Sequence, residues 1–369
     1  MTTARSRDTP PANTGTTGAR VVVTGAAAGL GRLLAERLLD APDVACVVAL
    51  DLASSGLPGA VEVIADVREP RALAPALEGA DVVVHLAVVT DPDADAEARR
   101  RLNRDGTAAV LEASAAAGVR HVVVVTSAAV HGARAENPVP LDDDSPLLDE
   151  AEGLVGDLLE MEGLVAEARV ARPDARITVV RPAALVGAGV DSVVTRHFAS
   201  PRLLVVKGGA MRWQFAHADD VAAALVLVVG GRVEGDELGV GCEGWLSTEE
   251  VARRSGLSTV EVPASLAFGT AERLHRAGLV PTPPGDLAYL VHPWVVSSSR
   301  LRAAGWRPTH DNAAALAVLL ADVEGSTAVA GRVIRGRDAT IAGAGVAGAT
   351  VAVLGAAAFV RRARRLRGR

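Results

Sequence analysis

A glycine-rich turn is the first stretch of this sequence whose residue types and spacing suggest chemistry. Gly25, Gly29 and Gly31 follow a run of three valines at residues 21–23. Such a turn bends tightly at its first glycine, lets the backbone approach a pyrophosphate at its second, and packs a helix closely on the strand at its third. The alternative is a tight strand-to-helix turn without a ligand, because three glycines alone do not decide between the two.

An aspartate further along the chain favours the ligand-binding interpretation. Asp51 ends the next apolar run, residues 45–50, at the distance beyond the glycines where a dinucleotide-binding fold places an acid. A carboxylate there accepts hydrogen bonds from ribose hydroxyls and repels a 2′-phosphate. We therefore expect a bound dinucleotide, with NAD preferred over NADP. The alternative is a solvated acid at the end of a strand.

The remaining pattern supplies the elements that would position these residues. Strands are predicted from apolar runs at 60–65, 82–87, 121–125 and 177–181. Helical segments alternate with the strands, at about 29–39, 70–77, 94–117 and 149–171. This alternation predicts right-handed βαβ units, that is, an α/β fold with a Rossmann-type doubly wound parallel sheet. Shorter, mixed elements follow and predict a small C-terminal α/β substrate lobe, mainly 183–215 and 240–310, over the C-terminal edge of the sheet.

Composition excludes several classes of protein. The chain of 369 residues has a net charge of −6, yet nine arginines and Asp338 give residues 332–369 a charge of +8, so the preceding residues carry −14. A body this acidic repels a phosphate backbone, and we expect no nucleic-acid partner. Cys46 and Cys242 have no metal-ligand spacing, so we expect a reducing compartment and no metal site. The acidic run 142–144 is interpreted as a solvated, helix-capping loop.

The two ends of the chain differ in character from the body. Residues 1–19 are rich in Thr, Pro and Gly and are interpreted as a disordered leader before a dinucleotide-binding body at 20–320. Residues 339–360 lack any charge and precede a basic tail at 361–369. A helix of 22 residues spans roughly 33 Å, which predicts a transmembrane or interfacial helix, although an Ala-rich helix of a soluble protein would read the same way. We expect a cytoplasmic protein that is associated with the membrane through this helix.

Motifs in a fixed order identify a family resemblance over residues 20 to about 310. The matching segments are 24–31, Asp51, 66–67, 84–87, 103–107, 125–132, 181–187, 215–221 and 299–308. Together they resemble an extended short-chain dehydrogenase/reductase of the NAD-dependent epimerase/dehydratase group. The resemblance implies an oxidoreductase-like or epimerase-like activity on a carbonyl, alcohol or sugar-like substrate.

The resemblance also assigns roles to individual positions. Ser127 stands at the family's catalytic serine position, and Pro182 begins the loop beside the nicotinamide. His217 is interpreted as a scaffold residue, and His85 as a core histidine in its apolar strand. The cofactor-binding positions that the family implies are Gly25, Gly29, Leu30, Gly31, Asp51, Leu52, Asp66, Val67, Leu86, Ala87, Val88, Asn103, Ser127 and Pro182.

The family's catalytic pair is absent. Short-chain dehydrogenases use Tyr-x-x-x-Lys on one helix, where the ammonium lowers the pKa of the tyrosine so that its phenol exchanges a proton with the substrate. This chain has a single tyrosine, Tyr289, and a single lysine, Lys207, in the wrong order for that motif. The expected positions fall near Val155 and Leu159.

Three interpretations stay open at this point. The protein is an enzyme with a substitute acid, for which His131, Asp157 and Glu160 are candidates, with Ser127 polarising a carbonyl. Alternatively it is a catalytically inactive NAD-binding sensor or scaffold, or a fold remnant whose partner surface matters more than its pocket. A homodimer is possible, because paired long helices of this fold commonly build one, but the sequence does not decide it.

Overall fold

The computed structural model describes residues 18–92, 94–187, 189–280 and 282–324, together with the backbone of 327–329 and 332–334. A seven-stranded sheet forms its centre, and all its neighbouring strands pair in parallel. The strands in chain order are β1 Ala19–Thr24, β2 Val44–Asp51, β3 Val61–Ile64, β4 Val82–His85, β5 His121–Val125, β6 Arg176–Pro182, β7 Ala184–Val186, β8 Arg202–Lys207, β9 Arg212–Trp213, β10 Phe215–His217, β11 Glu237–Val240, β12 Leu246–Ser247, β13 Ser258–Pro263, β14 Thr327–Val329 and β15 Arg332–Ile334.

The strand order in the sheet is β11-β6-β5-β4-β1-β2-β3. It reverses between β1 and β4, and ligands of open α/β sheets bind at such a reversal, outside the carboxyl ends of the strands. The helices in chain order are α1 Gly29–Leu39, α2 Pro70–Leu77, α3 Ala96–Arg100, α4 Gly106–Ala116, α5 Gly153–Ala171, α6 Val193–Phe198, α7 Ala218–Val229, α8 Thr248–Ser255, α9 Ala264–Arg276, α10 Ser299–Ala303 and α11 Asn312–Glu324. The predicted doubly wound α/β fold is confirmed.

Valine runs form the central strands because both faces of the sheet are covered. Val21 and Val23 are fully buried in the apolar cluster on the face that carries α1, α7 and α11. Val22 is fully buried in the opposite cluster, with α2, α4 and α5. A parallel sheet that is buried on both faces reads as a continuous apolar run, which is why these strands can be recognised from the sequence.

The small lobe is made of paired short strands. β8 pairs in parallel with β13, and their buried residues pack with α9 in a separate apolar cluster. β7 pairs with β10, and β9 pairs with β12. A turn of 3-10 helix at Pro284–Leu290 follows α9 and leads back toward the sheet.

Three local features differ from the sequence-based expectations. β11 joins the sheet as its seventh strand and was not predicted. α5 begins at Gly153 rather than near residue 149, because Gly153 has a φ of +63° and Glu152 is still extended. The acidic loop is not fully solvated, because Asp143 is buried and its Oδ1 accepts a hydrogen bond from the Gly239 N–H at 2.6 Å.

The predicted terminal segments lie almost entirely outside the described residues. The leader at 1–19 overlaps them only at Gly18 and Ala19, and Ala19 already belongs to β1. Residues 339–360 and 361–369 are not described, so the membrane helix and the basic tail stay predictions. Within the described part of the chain, no helix is both long enough and apolar enough to cross a bilayer.

Candidate active site

A cavity of about 980 Å³ opens at the carboxyl ends of the sheet strands. One half is lined by the glycine-rich turn after β1 and by the segments that follow β2, β3 and β4. The other half is lined by α3, the start of α5, the segment before α6 and the 3-10 turn after α9. We call these the cofactor half and the substrate half. A cavity of this size at this place in the fold is large enough for a dinucleotide and a small molecule.

The glycine turn has the shape that a close backbone approach requires. Gly25 has a φ of +73°, and a Cβ there would lie 2.7 Å from the backbone of Leu86 and Ala87. A Cβ on Gly31 would lie 2.0 Å from the Gly25 carbonyl oxygen, so α1 packs on the turn only with glycine at this position. Gly29 has a φ of +54° and faces open space.

The N-terminus of α1 carries no cap of its own. Its N-cap residue is Ala28, whose side chain cannot accept a hydrogen bond from the N–H groups of the first turn. The first turn also contains no acidic residue. The N–H groups of a first helical turn have no partner within the helix, and the helix dipole favours an anion at this end. The turn and the helix start therefore suit the pyrophosphate of a dinucleotide.

Asp51 lines the same half of the cavity at the end of β2. Its Oδ2 accepts a hydrogen bond from the Ala27 N–H at 3.0 Å, and its Oδ1 accepts one from the Leu52 N–H at 2.6 Å. These bonds fix the carboxylate beside the glycine turn. Carboxylate oxygens hold up to four acceptor sites, so capacity is left for ribose hydroxyls.

A buried hydrogen-bond network fixes the wall opposite Asp51. Thr24 Oγ1 lies 2.8 Å from His85 Nδ1 and accepts bonds from the Leu86 and Ala87 N–H groups at 3.1 and 3.2 Å. His85 Nε2 lies 3.2 Å from Thr107 Oγ1. Burial lowers the pKa of His85 to about 4, so this residue is neutral. His85 is a core histidine, as predicted.

Most of the predicted cofactor residues line the cavity. They are Gly25, Gly29, Leu30, Gly31, Asp51, Leu52, Asp66, Val67, Leu86, Ala87, Val88, Ser127 and Pro182. Asn103 is not among the lining residues, since it is fully buried in a π-helical turn at Arg101–Asp105. Its side chain exchanges hydrogen bonds with the backbone of Val89 at 2.8 and 3.0 Å. Asn103 thus positions the segment that carries Val88.

Of the predicted catalytic residues, Ser127 lines the cavity and His131 does not. Ser127 Oγ accepts a hydrogen bond from the Ala129 N–H at 3.2 Å, which leaves its own proton for another acceptor. His131 is buried, and its Nδ1 must donate to the Pro146 carbonyl at 3.1 Å, because a carbonyl only accepts. Burial lowers the pKa of His131.

The other two candidate acids do not line the cavity, and each is engaged in an ion pair. Asp157 Oδ2 accepts from Arg99 Nε at 2.7 Å in a buried pair. Glu160 accepts from Arg100 Nη2 at 2.9 Å on the surface. Neither acid is among the described residues that line the cavity.

The substrate half contains an acid that the sequence did not mark. Asp286 and Tyr289 lie in the 3-10 turn and line the cavity. Val155 of α5, at the family's tyrosine position, lines the cavity too. Tyr289 donates its phenol proton to the Ala129 carbonyl at 2.7 Å, and burial raises its pKa. Burial also raises the pKa of Asp286 to about 7. In the sequence, Asp286 is a lone aspartate after a Pro-rich loop, and this pattern is too common to indicate a functional residue.

A second cluster of titratable groups lies outside the cavity. His217, Asp220 and His310 have their ligand atoms within 4.8 Å of one another. Asp220 already accepts bonds from the Thr309 N–H at 2.8 Å and the His310 N–H at 3.0 Å, and the two imidazole rings stack at 3.7 Å. This arrangement ties α7 to the segment before α11, which fits the expectation of a scaffold role for His217.

Comparison with known proteins gives one family match and several relatives. The model of the NAD dependent epimerase/dehydratase family matches residues 21–241. An uncharacterized protein of Mycobacterium tuberculosis, Rv0501, is 29% identical over 303 residues, which cover 78% of this chain and 80% of that protein. An L-arabinose 1-dehydrogenase (NAD(P)(+)) of Haloferax volcanii is 39% identical over 113 residues, which cover 31% of this chain and 42% of that enzyme.

Solved structures share the fold at low identity. A UDP-glucose-4-epimerase from Stenotrophomonas maltophila, with bound NAD and formylated UDP-arabinopyranose, superimposes with a TM-score of 0.63 at 20% identity. The superposition covers 83% of this chain and 98% of the epimerase. This likeness supports the fold described above.

Proposed function

This chain belongs to the NAD dependent epimerase/dehydratase family, and on that premise we propose that it binds NAD and catalyses hydride transfer at a hydroxyl or carbonyl carbon of an uncharged substrate. The observation that carries the proposal is the cavity of about 980 Å³. Its cofactor half offers a site for a dinucleotide, and its substrate half is lined by polar side chains; Ser127 lines the cavity as well. The acid/base in this proposal is not the usual tyrosine and lysine pair.

The cofactor half supports a nicotinamide dinucleotide. The uncapped first turn of α1 and the open face of Gly29 would hold the pyrophosphate. Asp51 would accept hydrogen bonds from the adenosine ribose and repel a 2′-phosphate, which favours NAD over NADP. When bound, NAD would supply the hydride acceptor or, in its reduced form, the hydride donor.

The charges of the substrate half support an uncharged substrate. Arg99 is the one arginine or lysine among the described residues that line the cavity, and it is paired with Asp157. The acids that line this half are Asp95, Glu152, Asp191 and Asp286. A nucleoside diphosphate sugar brings negative phosphates, which such a wall repels because no free cation compensates them. Alcohols, ketones and free sugars fit this wall better.

Calorimetric titration followed by a turnover assay tests the proposal. We expect NAD and NADH to bind the purified protein with a Kd on the order of micromolar, typical of cofactor sites, and NADP to bind more weakly. We then expect NADH formation with cyclohexanol or L-arabinose as the probe, and no saturable binding of UDP-glucose to the protein–NAD complex. The change in absorbance of the nicotinamide gives the rate.

Two results would contradict the proposal in different ways. Absence of heat on titration with both NAD and NADH would refute the cofactor assignment. Tight NAD binding without turnover of any uncharged alcohol or ketone would refute the enzymatic part, and it would leave the NAD-binding sensor or scaffold as the better description. Saturable UDP-glucose binding would refute the assigned substrate class alone.

A further inference from the structure

We propose that the carboxyl group of Asp286 is the proton-transfer group of this cavity, in place of the tyrosine and lysine that α5 lacks. This proposal rests on the function proposed above. Three observations support it: the position of Asp286 in the cavity, the absence of a partner for its carboxyl group among the described residues, and the hydrogen bonds and ion pairs that already occupy the other candidate groups.

The 3-10 turn directs Asp286 into the cavity. Residues three apart in a 3-10 helix lie on the same face, so Asp286 and Tyr289 share one side of the turn Pro284–Leu290. Both line the cavity. Asp286 is buried, with only 9% of its surface exposed.

The turn lies against both segments where the family's catalytic groups are expected. A Cβ on Gly153 would lie 2.7 Å from the ring of Pro283, so the turn packs on the first turn of α5, which carries Val155. On its other side, Tyr289 donates its hydrogen bond to Ala129, two residues beyond Ser127. The turn that carries Asp286 is therefore held to the start of α5 through Pro283 and to the segment after Ser127 through Tyr289.

The Asp286 carboxyl accepts no hydrogen bond from the residues that the structure describes; the one bond from this residue runs from its backbone N–H to Pro283. The charged groups that act on it are Arg99 of α3, which lowers its pKa, and Glu152 beside α5, which raises it. His275 of α9 and Tyr289 line the same cavity. Because Arg99 is neutralised by Asp157, burial prevails, and both protonation states of Asp286 are populated near neutral pH.

The chemistry requires only one proton acceptor from the protein. In the oxidation of a secondary alcohol, the O–H proton passes to the Asp286 carboxylate, the C–H hydrogen leaves the carbon with both electrons, and a C=O double bond forms. The hydride goes to NAD as the co-substrate, and Asp286 later releases its proton to solvent. Ser127 donates a hydrogen bond from its hydroxyl group to the substrate oxygen and keeps its proton. The reduction of a ketone by NADH runs through the same steps in reverse.

The test compares Asp286→Asn with a matched surface variant, Asp174→Asn. Asp174 is exposed in the turn after α5 and lies outside the cavity, so it controls for the same chemical change. Three quantities are measured for each protein. They are the Kd of NADH by calorimetry, the kcat of cyclohexanol oxidation against pH, and the infrared carboxyl band of the cofactor-free protein between about pH 5 and about pH 9.

We expect Asp286→Asn to bind NADH as the parent does, to lose about 100-fold or more in kcat, and to lose the ionisation near neutrality from its pH profile. The infrared difference between the parent and Asp286→Asn should contain one carboxyl that titrates near neutral pH. Asp174→Asn should match the parent in all three measurements. Each of these results supports the assignment.

A parent-like kcat in Asp286→Asn, or an infrared difference without a carboxyl that titrates near neutrality, would overturn the assignment. If the parent does not oxidise cyclohexanol, the infrared titration decides alone, because it needs neither cofactor nor substrate. Failure of NADH to bind would refute the proposed function instead, and the infrared result would still stand or fall by itself.

Discussion

The two halves of the cavity are built by different means. The cofactor half is formed by backbone, since Gly25, Gly29 and Gly31 shape one turn and Asp51 is held by two backbone N–H groups. The substrate half is formed by side chains from α3, α5, the segment before α6 and the turn after α9, and the first and last of these elements lie about 190 residues apart in sequence. A site made by one turn can be recognised in a sequence, whereas a site assembled from distant elements depends on packing.

The largest effect is expected from Gly31→Ala in the cofactor half. The added Cβ would lie 2.0 Å from the Gly25 carbonyl oxygen, and neither the strand nor the helix can shift without breaking the turn. We expect a loss of roughly 3 kcal/mol in the free energy of unfolding, measured by urea denaturation, and loss of NAD binding.

Gly163→Ala is the matched control for this change. Gly163 lies inside α5, is exposed, and has no atom within 4 Å of an added Cβ. The substitution should raise the free energy of unfolding by about 0.5–1 kcal/mol, because alanine loses less backbone entropy in a helix. Unchanged stability and NAD affinity in Gly31→Ala would show that the turn does not need its close contact.

The next largest effect is expected from Asp51→Asn. Hydrogen bonds to a charged acceptor contribute about 1.5–3 kcal/mol, so the loss of the carboxylate should weaken NAD binding by about 10- to 100-fold. The same change removes the repulsion of a 2′-phosphate, and the ratio of NADP to NAD affinity should rise.

Calorimetric Kd values for both cofactors measure the Asp51→Asn effect, with Asp40→Asn as an exposed control at the end of α1. If the ratio of the two affinities is the same in Asp51→Asn and in the parent, Asp51 does not contact the ribose. The backbone bonds from Ala27 and Leu52 would then be its whole role.

The same contrast explains how much of the molecule the sequence predicts. Val21–Val23 and the other valine runs identify the central strands, because a strand buried on both faces leaves a continuous apolar pattern. β11 escapes prediction, since a four-residue strand at the sheet edge has no such run and is fixed by its pairing with β6. Asn103 was expected to bind cofactor, but its amide is used by the backbone of Val89.

The substrate half resists prediction for a physical reason. His131, Asp157 and Glu160 are the substitute acids that the sequence suggests for the missing pair, and each is engaged by protein groups. The turn that carries Asp286 is held at the cavity by the packing of Pro283 against Gly153 and by the hydrogen bond from Tyr289 to the Ala129 carbonyl. These contacts join segments more than 120 residues apart, and no local pattern records them.

A smaller effect, on stability, should also distinguish the two halves of the cavity. Asp286 is a buried acid, and its ionisation at high pH should destabilise the fold. The pKa of Asp286 is raised from 3.8 to about 7, so the folded protein retains a proton that the unfolded chain loses as the pH rises through about 4. The free energy of unfolding of the parent therefore falls relative to Asp286→Asn between about pH 4 and about pH 7, and the difference is constant above that range. Such a shift corresponds to at most about 4 kcal/mol, and solvent that enters the cavity should reduce it to about 1–2 kcal/mol.

Urea denaturation of the parent, Asp286→Asn and Asp174→Asn at a series of pH values measures this difference. Asp286→Asn should be as stable as the parent at about pH 4 and more stable at about pH 8, while Asp174→Asn should follow the parent throughout. A gain in stability that is already present at about pH 4 would mean that the amide packs better than the acid, not that a buried charge has been removed. Asp51→Asn should show no such gain, because the substitution removes an acceptor of two backbone N–H hydrogen bonds. The cofactor half would then contain an acid, Asp51, whose hydrogen bonds support the fold, and the substrate half an acid, Asp286, whose ionisation destabilises the fold.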